Sequence, residues 1–243
     1  MNPMLDTSSM QSLDIPVPPH NVRYRIASSH IDEEVFLKSG RECVADIIRT
    51  LDSCDHDARK FQDILDLGCG CSRMLRFFIP FLPQARFYGC DIDPIAIEWS
   101  SKHVPGAQFA LVPHLPPTAY SRQQFDFIYG LSVFSHLDLP RQILWLDELH
   151  QVLRPGGLLL LTVHGAMAYD MVKKTISKKQ QEDFDTTGFL YLENISDKVL
   201  PDWYQTAIYK EHFARLVFQS GFSILRYTEG GGKNQDSLLL QKK

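Results

Sequence analysis

The chain has 243 residues, with 25 basic and 29 acidic side chains and a formal net charge of −4. Hydrophobic residues make up 44% and charged residues 22%, with 14 glycines and 14 prolines, an ordinary globular composition that excludes collagen-like or low-complexity chains. The longest apolar run, Leu158–Leu161, is far short of the about 20 residues that cross a bilayer, so no membrane association is expected. The mildly acidic balance also speaks against broad nucleic-acid binding. Met1–Met10 lacks a basic start followed by an apolar stretch, so no secretory leader is expected. Cys43, Cys54, Cys69, Cys71 and Cys90 are odd in number, which points to reduced thiols in a cytoplasmic setting. Cys69 and Cys71 lack the companions that would complete a zinc site, so no metal is expected.

Residues 1–20 are polar and proline-rich, ending in Pro16-Val17-Pro18-Pro19, and read as a mobile arm. Val35, Phe36, Cys43, Val44, Ile47, Ile48 and Leu51 then recur at helical spacing, with Gly40 as a break. Residues 1–60 are therefore expected to form an N-terminal arm and helical extension, and 61–243 the main domain. Strands are expected at Asp63–Leu67, Ala85–Cys90, Ala107–Val112, Phe125–Tyr129 and Leu158–Val163. Helices are expected between them at Arg73–Leu82, Pro94–His103 (capped by Asp93) and Pro140–Leu153. This alternation implies βαβ units, a parallel sheet and right-handed crossovers.

Ala166–Tyr209 breaks the rhythm and is read as an inserted lid, at about 166–209. It holds a basic helical segment with Lys173, Lys174, Lys178 and Lys179, and the aromatics Phe189, Tyr191, Trp203, Tyr204 and Tyr209. A helix follows at Lys210–Ser220. Strands at Phe222–Thr228 and Ser237–Gln241, joined by a glycine-rich link, form a hairpin.

The most informative stretch is Ile64-Leu65-Asp66-Leu67-Gly68-Cys69-Gly70. A strand that enters a glycine-rich turn and then a helix brings backbone N–H groups close to a ligand. Asp91 lies at the end of the next strand, where a carboxylate can take hydrogen bonds from ribose hydroxyls. A nicotinamide site would want its third glycine where Arg73 stands, and no Gly-Lys-Ser/Thr follows for a phosphate loop. A cofactor with adenosine but no pyrophosphate fits: S-adenosylmethionine.

Four features taken in order resemble class I S-adenosylmethionine-dependent methyltransferases: Asp66-x-Gly68-x-Gly70, Asp91, the strand Phe125-Asp126-Phe127-Ile128, and Leu153-Arg154-Pro155-Gly156-Gly157. The resemblance covers Gln62–His164 closely and the C-terminal helix and hairpin loosely. It implies an α/β, Rossmann-like fold, with a seven-stranded mostly parallel sheet, helices on both faces and a C-terminal antiparallel hairpin. It also implies that Asp66, Gly68 and Gly70 line the methionine moiety, Asp91 holds the ribose, Ile92 lies beside adenine and Leu131 flanks the cofactor. Two positions depart from the family's pattern. Ser72 stands in place of a third glycine, and Val112-Pro113-His114 offers no acidic residue for adenine.

Looser likenesses point to sugar- and glycan-modifying members. They are Pro18-Pro19, the Gly70-Cys71-Ser72-Arg73 variant, Thr162-Val163-His164-Gly165 and the tail around Asn234-Gln235-Asp236. The expected acceptor is accordingly a small-molecule or glycan hydroxyl. Alternatives are a phenolic or amine metabolite, or a non-catalytic cofactor-binding accessory module. A hydroxyl acceptor needs a base, and His136 after the fourth strand and His164 at the end of the fifth are the candidates.

Overall fold

The structure, a computed structural model, describes residues 10–24, 32–193, 205–232 and 234–243. It opens with a short helix α1 (His20–Arg23) and a long helix α2 (Glu33–Asp52) whose first turn is capped by Asp32. Helix α2 runs unbroken through Gly40. The glycine is there for close approach: a Cβ would sit 2.3 Å from the carbonyl oxygen of Arg73.

Five strands and three helices then alternate. They are β1 (Asp63–Leu67), α3 (Leu75–Phe81), β2 (Arg86–Asp91), α4 (Pro94–His103), β3 (Ala107–Leu111), β4 (Phe125–Gly130), α5 (Leu139–Val152) and β5 (Leu153–Val163). Asp93 and Asp138 cap α4 and α5, and each helix has proline in its first turn. After β5 come α6 (Ala166–Val172), α7 (Lys178–Thr187) and the paired short strands β6 (Phe189–Leu192) and β7 (Thr206–Tyr209). The chain ends with α8 (Glu211–Phe218), β8 (Phe222–Thr228) and β9 (Asp236–Lys242).

The main sheet has seven strands in the order β3-β2-β1-β4-β5-β9-β8. The first five are parallel, and β9 runs antiparallel to both β5 and β8. This is the Rossmann-like α/β fold expected. Both faces of the sheet are covered, which is why β1 and the Leu158–Val163 half of β5 are buried at every position. On one face Leu65, Leu67, Leu159, Leu161, Leu238 and Leu240 pack against α5 and α8. On the other, Ile64, Leu158, Leu160 and Leu239 meet α2 and α3. Strand order reverses between β1 and β4, so the loops after those strands diverge and leave a crevice at the carboxyl edge.

Two surrounding segments differ from the sequence reading. The stretch from Met10 to Val17 is a docked strap rather than a mobile arm. Met10 is buried, and Leu13, Ile15 and Val17 pack in a cluster with Val22, Phe36 and Trp99. The Arg76 guanidinium holds the strap by donating to Ser12 Oγ at 2.9 Å and to the Ile15 carbonyl at 2.8 Å. The segment after β5 has a small core of its own, Phe184, Leu190, Leu192 and Ile208. Its four lysines are split between the end of α6 and the start of α7, with Lys173 and Lys179 paired to Asp170 and Asp183. Trp203 and Tyr204 lie outside the described residues.

Candidate active site

The crevice at the carboxyl edge of the sheet is a cavity walled by the loop after β1, the end of β2 and the turn after β4. Gly68 takes φ +73°, and a Cβ on it would lie 2.4 Å from Val133 Cγ2. Gly70 also has positive φ, at +51°. Ser72 occupies the left-handed region at φ 60°, where glycine would be free of strain. A buried hydrogen-bond chain accompanies it: Ser72 Oγ donates to Ser100 Oγ at 2.9 Å, and Ser100 Oγ to the Gly70 carbonyl at 3.2 Å. The serine thus holds the loop that a third glycine would merely permit.

Asp91 fastens the same loop from β2. Its Oδ2 accepts the Gly70 N–H at 2.7 Å and its Oδ1 the Asp93 N–H at 2.9 Å. Each oxygen keeps a second lone pair for a ligand hydroxyl. Burial pushes the Asp91 pKa upward, opposed by those backbone N–H bonds. Gly68, Gly70, Asp91, Ile92, Leu131 and His136 all line the cavity.

Asp66 and His164 do not line it. Asp66 is fully buried in β1, and neither carboxylate oxygen has a hydrogen-bond partner in the protein. Burial raises its pKa to about 8; the Tyr129 hydroxyl and Arg73 oppose the rise and Asp91 adds to it. His164 stands behind His136, with ring centroids 5.9 Å apart at 84°. Burial, with the neighbouring His136, drives its pKa down to about 4, so it is neutral at pH 7. His136 Nδ1 lies 2.6 Å from the Gln205 carbonyl oxygen. A carbonyl can only accept, so Nδ1 carries the proton and Nε2 is the basic nitrogen. Burial lowers the His136 pKa below the usual imidazole value.

Several cavity residues were not singled out from sequence. Arg73 contributes a cation from the turn before α3; its Nη1 donates to Ser39 Oγ of α2 at 3.0 Å, and its buried Nε has no protein partner. Val112 and His114 come from beyond β3, Leu137 and Arg141 from the start of α5, and Trp145 from its middle. Trp145 Nε1 donates to the His114 carbonyl at 3.1 Å and fixes that loop. Only Arg73 carried a local signal, its position directly after the glycine loop. Of the aromatics in the inserted segment, Tyr209 is fully buried and Phe189 stacks on Phe213.

The donor set suits an adenosine carrying an amino-acid end. The Asp91 carboxylate matches a ribose diol, and Ile92, Val112 and Leu131 give flat apolar contact for a base. The Arg73 guanidinium in the cavity wall, with its Nε without a protein partner, suits a carboxylate. Among the described residues, no three His, Cys, Asp or Glu side chains converge on a metal-sized site. No described helix is long and apolar enough to cross a membrane.

Residues 65–159, the run from β1 into β5, match the family model of a methyltransferase domain. A malonyl-[acyl-carrier protein] O-methyltransferase of Halalkalibacterium halodurans is 29% identical over 147 residues, 56% of this chain and 54% of that protein. The enzyme of that name from Hahella chejuensis is 31% identical over 100 residues, 41% and 35% of the two chains. The human tRNA N(3)-cytidine methyltransferase METTL6 is 25% identical over 142 residues, 52% and 48%. The chain thus spans about a third to a half of the length of these curated relatives. Among solved structures, a protein from Pyrococcus horikoshii OT3 superposes with a TM-score of 0.64 at 16% identity, covering 91% of this chain and 98% of that one. An S-adenosylmethionine-dependent methyltransferase of Methanosarcina mazei gives 0.59 at 18%, covering 77% and 95%. Residues 65–159 thus match a methyltransferase domain, and the seven-stranded sheet is the Rossmann-like fold that the solved methyltransferase structure shares.

Proposed function

We propose that the chain transfers the methyl group of S-adenosylmethionine to an oxygen of a small-molecule or glycan acceptor, with His136 as the general base. Bound in the cavity, the cofactor supplies an electrophilic methyl on a sulfonium. In this reading Gly68 and Gly70 give close backbone approach, Asp91 holds the ribose, Ile92 and Leu131 flank the base, and Asp66 and Arg73 balance the charges of the methionine end. The observation that carries the catalytic part is the tautomer of His136, set by the Gln205 carbonyl, with the ring in the cavity wall. An acceptor hydroxyl gives its proton to Nε2 as its oxygen forms the new C–O bond, which removes the charge that would otherwise build up on that oxygen. His164, neutral and behind His136, packs the base and leaves it uncharged. The inserted segment covers this side, since Gln205 reaches His136 directly.

A second reading is favoured by one observation: Arg141 lines the same cavity, 41% exposed and held loosely by Asp138 at 3.7 Å. A guanidinium there suits an acidic acceptor, and two of the relatives are by name O-methyltransferases of malonyl-[acyl-carrier protein], whose malonyl group ends in a carboxylate. A carboxylate is already ionised at pH 7 and needs no base.

Methyl transfer from labelled cofactor to a panel of sugars, nucleotide sugars, phenols and carboxylic acids separates the readings. With a hydroxyl acceptor, His136→Asn lowers turnover by about 10²-fold or more, and the rate–pH profile loses its acidic limb. Turnover that persists in His136→Asn but falls in Arg141→Ala, on a carboxylate, would establish the second reading instead.

A further inference from the structure

The turn that carries His136 is held from both ends by buried amides that no catalytic role has claimed. Phe134–His136 forms a single 3₁₀ turn between β4 and α5. Gln142, fully buried on α5, donates from Nε2 to the carbonyls of Phe134 at 3.0 Å and Leu137 at 2.7 Å. Its Oε1 accepts from the buried Tyr209 hydroxyl of β7. Gln235, just before β9, reaches the other end of the loop. Its Oε1 accepts from Thr162 Oγ1 at 2.5 Å and Ser132 Oγ at 3.1 Å, and its Nε2 donates to Ser135 Oγ at 3.5 Å. Thr162 Oγ1 in turn accepts the Ser132 N–H at 2.8 Å, so donors and acceptors run in one consistent chain.

Ser132 needs such support. It sits at φ 59°, in the left-handed region that strains any residue with a Cβ. Gln235 itself sits in a connection with no slack. Asp236 next to it accepts from the Tyr227 hydroxyl at 2.5 Å and the Gly230 N–H at 3.0 Å, and Gly165 leaves no space for a Cβ beside that carboxylate. The two glutamines therefore tie the turn to three places distant in sequence: α5 with β7, β5, and the β8–β9 connection.

We propose that Gln142 and Gln235 are positioning residues, a pair of buried amides that clamp the His136 turn from its two ends and fix the direction of the imidazole. Glutamine suits the task because one neutral side chain both donates and accepts, so each satisfies backbone or hydroxyl groups without introducing a charge beside the base. The clamp has catalytic meaning only where His136 is the base, but the geometry it imposes is measurable without any acceptor.

The test is an NMR titration of the full chain with 15N,13C-labelled histidine, following His136 in Gln235→Ala, Gln142→Ala and Ser135→Ala. The expected result is a change in the His136 tautomer signature and an apparent pKa displaced by about half a unit or more in the glutamine variants. Ser135→Ala, which deletes one long contact, should shift it less. Phe87→Leu, a core change on β2, controls for general destabilisation and should leave the His136 signals in place while lowering the melting temperature. His136 signals indifferent to both glutamines in folded variants would overturn the clamp. Failure of the base reading shows up elsewhere, as undiminished turnover in His136→Asn.

Discussion

Strand β1 carries an aspartate near each end, Asp63 and Asp66, and both are almost wholly buried, yet they live in opposite electrostatic conditions. Asp63 is the centre of an ion cluster at the amino edge of the sheet. Arg86 meets it with two hydrogen bonds of 2.6 Å, Arg154 adds one at 2.8 Å, and Arg154 also pairs with Asp126 at 2.7 Å. Burial alone would raise the Asp63 pKa, but the guanidinium hydrogen bonds outweigh it and hold the carboxyl below its usual range. Asp66, three residues on, has no guanidinium hydrogen-bonded to it, and burial pushes its pKa up to about 8. The amino edge is finished by the protein's own charges, whereas near the carboxyl edge the buried Asp66 carboxyl has no cation hydrogen-bonded to it. The two ends of one buried parallel strand thus differ in how their carboxylates are met, and the proposed site lies at the carboxyl end.

The largest effect that would break or sharpen this contrast is expected at Gly68. Gly68→Val forces a branched side chain into φ +73° and onto Val133, so cofactor affinity should fall by about 10³-fold or more while far-ultraviolet circular dichroism stays native. Affinity within tenfold of wild type would remove the glycine loop from the site.

Next comes Asp66. A folded pKa of about 8 lies above the unfolded value, so folding without ligand takes up a proton. That stabilising contribution is complete below about pH 4 and is lost as pH rises toward about 8. Asp66→Asn lacks this dependence. Between pH 5 and pH 8 the wild type should lose about 2–4 kcal/mol relative to the variant in urea unfolding. Parallel stability curves would mean that Asp66 is ionised and partnered.

Asp63→Asn should act in the opposite direction and more weakly. Its depressed pKa gives stability that is present at neutral pH and lost as pH falls below about 4 through the folded value. The variant should be less stable by about 2 kcal/mol at pH 7, because Arg86 is 63% exposed and regains water when its partner goes. Cofactor affinity should stay within twofold. A loss of binding equal to that of a site variant would show that the two ends are not independent.

Much of this contrast was legible in the sequence, though not which motif served which end. Strand–helix alternation from Asp63 onward marks the sheet because a parallel strand buried on both faces reads as a short apolar run. The glycine loop and Asp91 could be paired because the spacing between them is fixed by one βαβ unit. The Phe125-Asp126 and Arg154-Pro155-Gly156-Gly157 motifs look equally functional in sequence, yet Asp126 and Arg154 belong to the structural ion cluster far from the cavity. Gly40 read as a helix break because a missing Cβ looks the same whether it ends a helix or lets a neighbouring backbone approach. The docked strap looked mobile because its few apolar residues, Leu13, Ile15 and Val17, are spaced among prolines, and its anchor Arg76 lies 64 residues from Ser12. Arg141, Trp145, Gln142 and Gln235 carry no local pattern at all. Helix packing and the hairpin turn bring Trp145 and Gln235 to the site, with partners His114 and Ser132 lying 31 and 103 residues away.

The most direct test is calorimetric titration of the protein with S-adenosylmethionine at pH 7 in two buffers of different ionisation enthalpy, with Asp91→Ala and Asp66→Asn alongside. Wild type should bind and release a fraction of a proton, seen as a buffer-dependent enthalpy, because a cationic ligand favours the ionised form of Asp66. Asp91→Ala should lose about 2–3 kcal/mol of binding, the worth of charge-assisted bonds to a ribose diol. Asp66→Asn should bind more weakly with no buffer dependence. A wild-type protein that gives no binding heat and no change in melting temperature with S-adenosylmethionine would contradict the account at its centre.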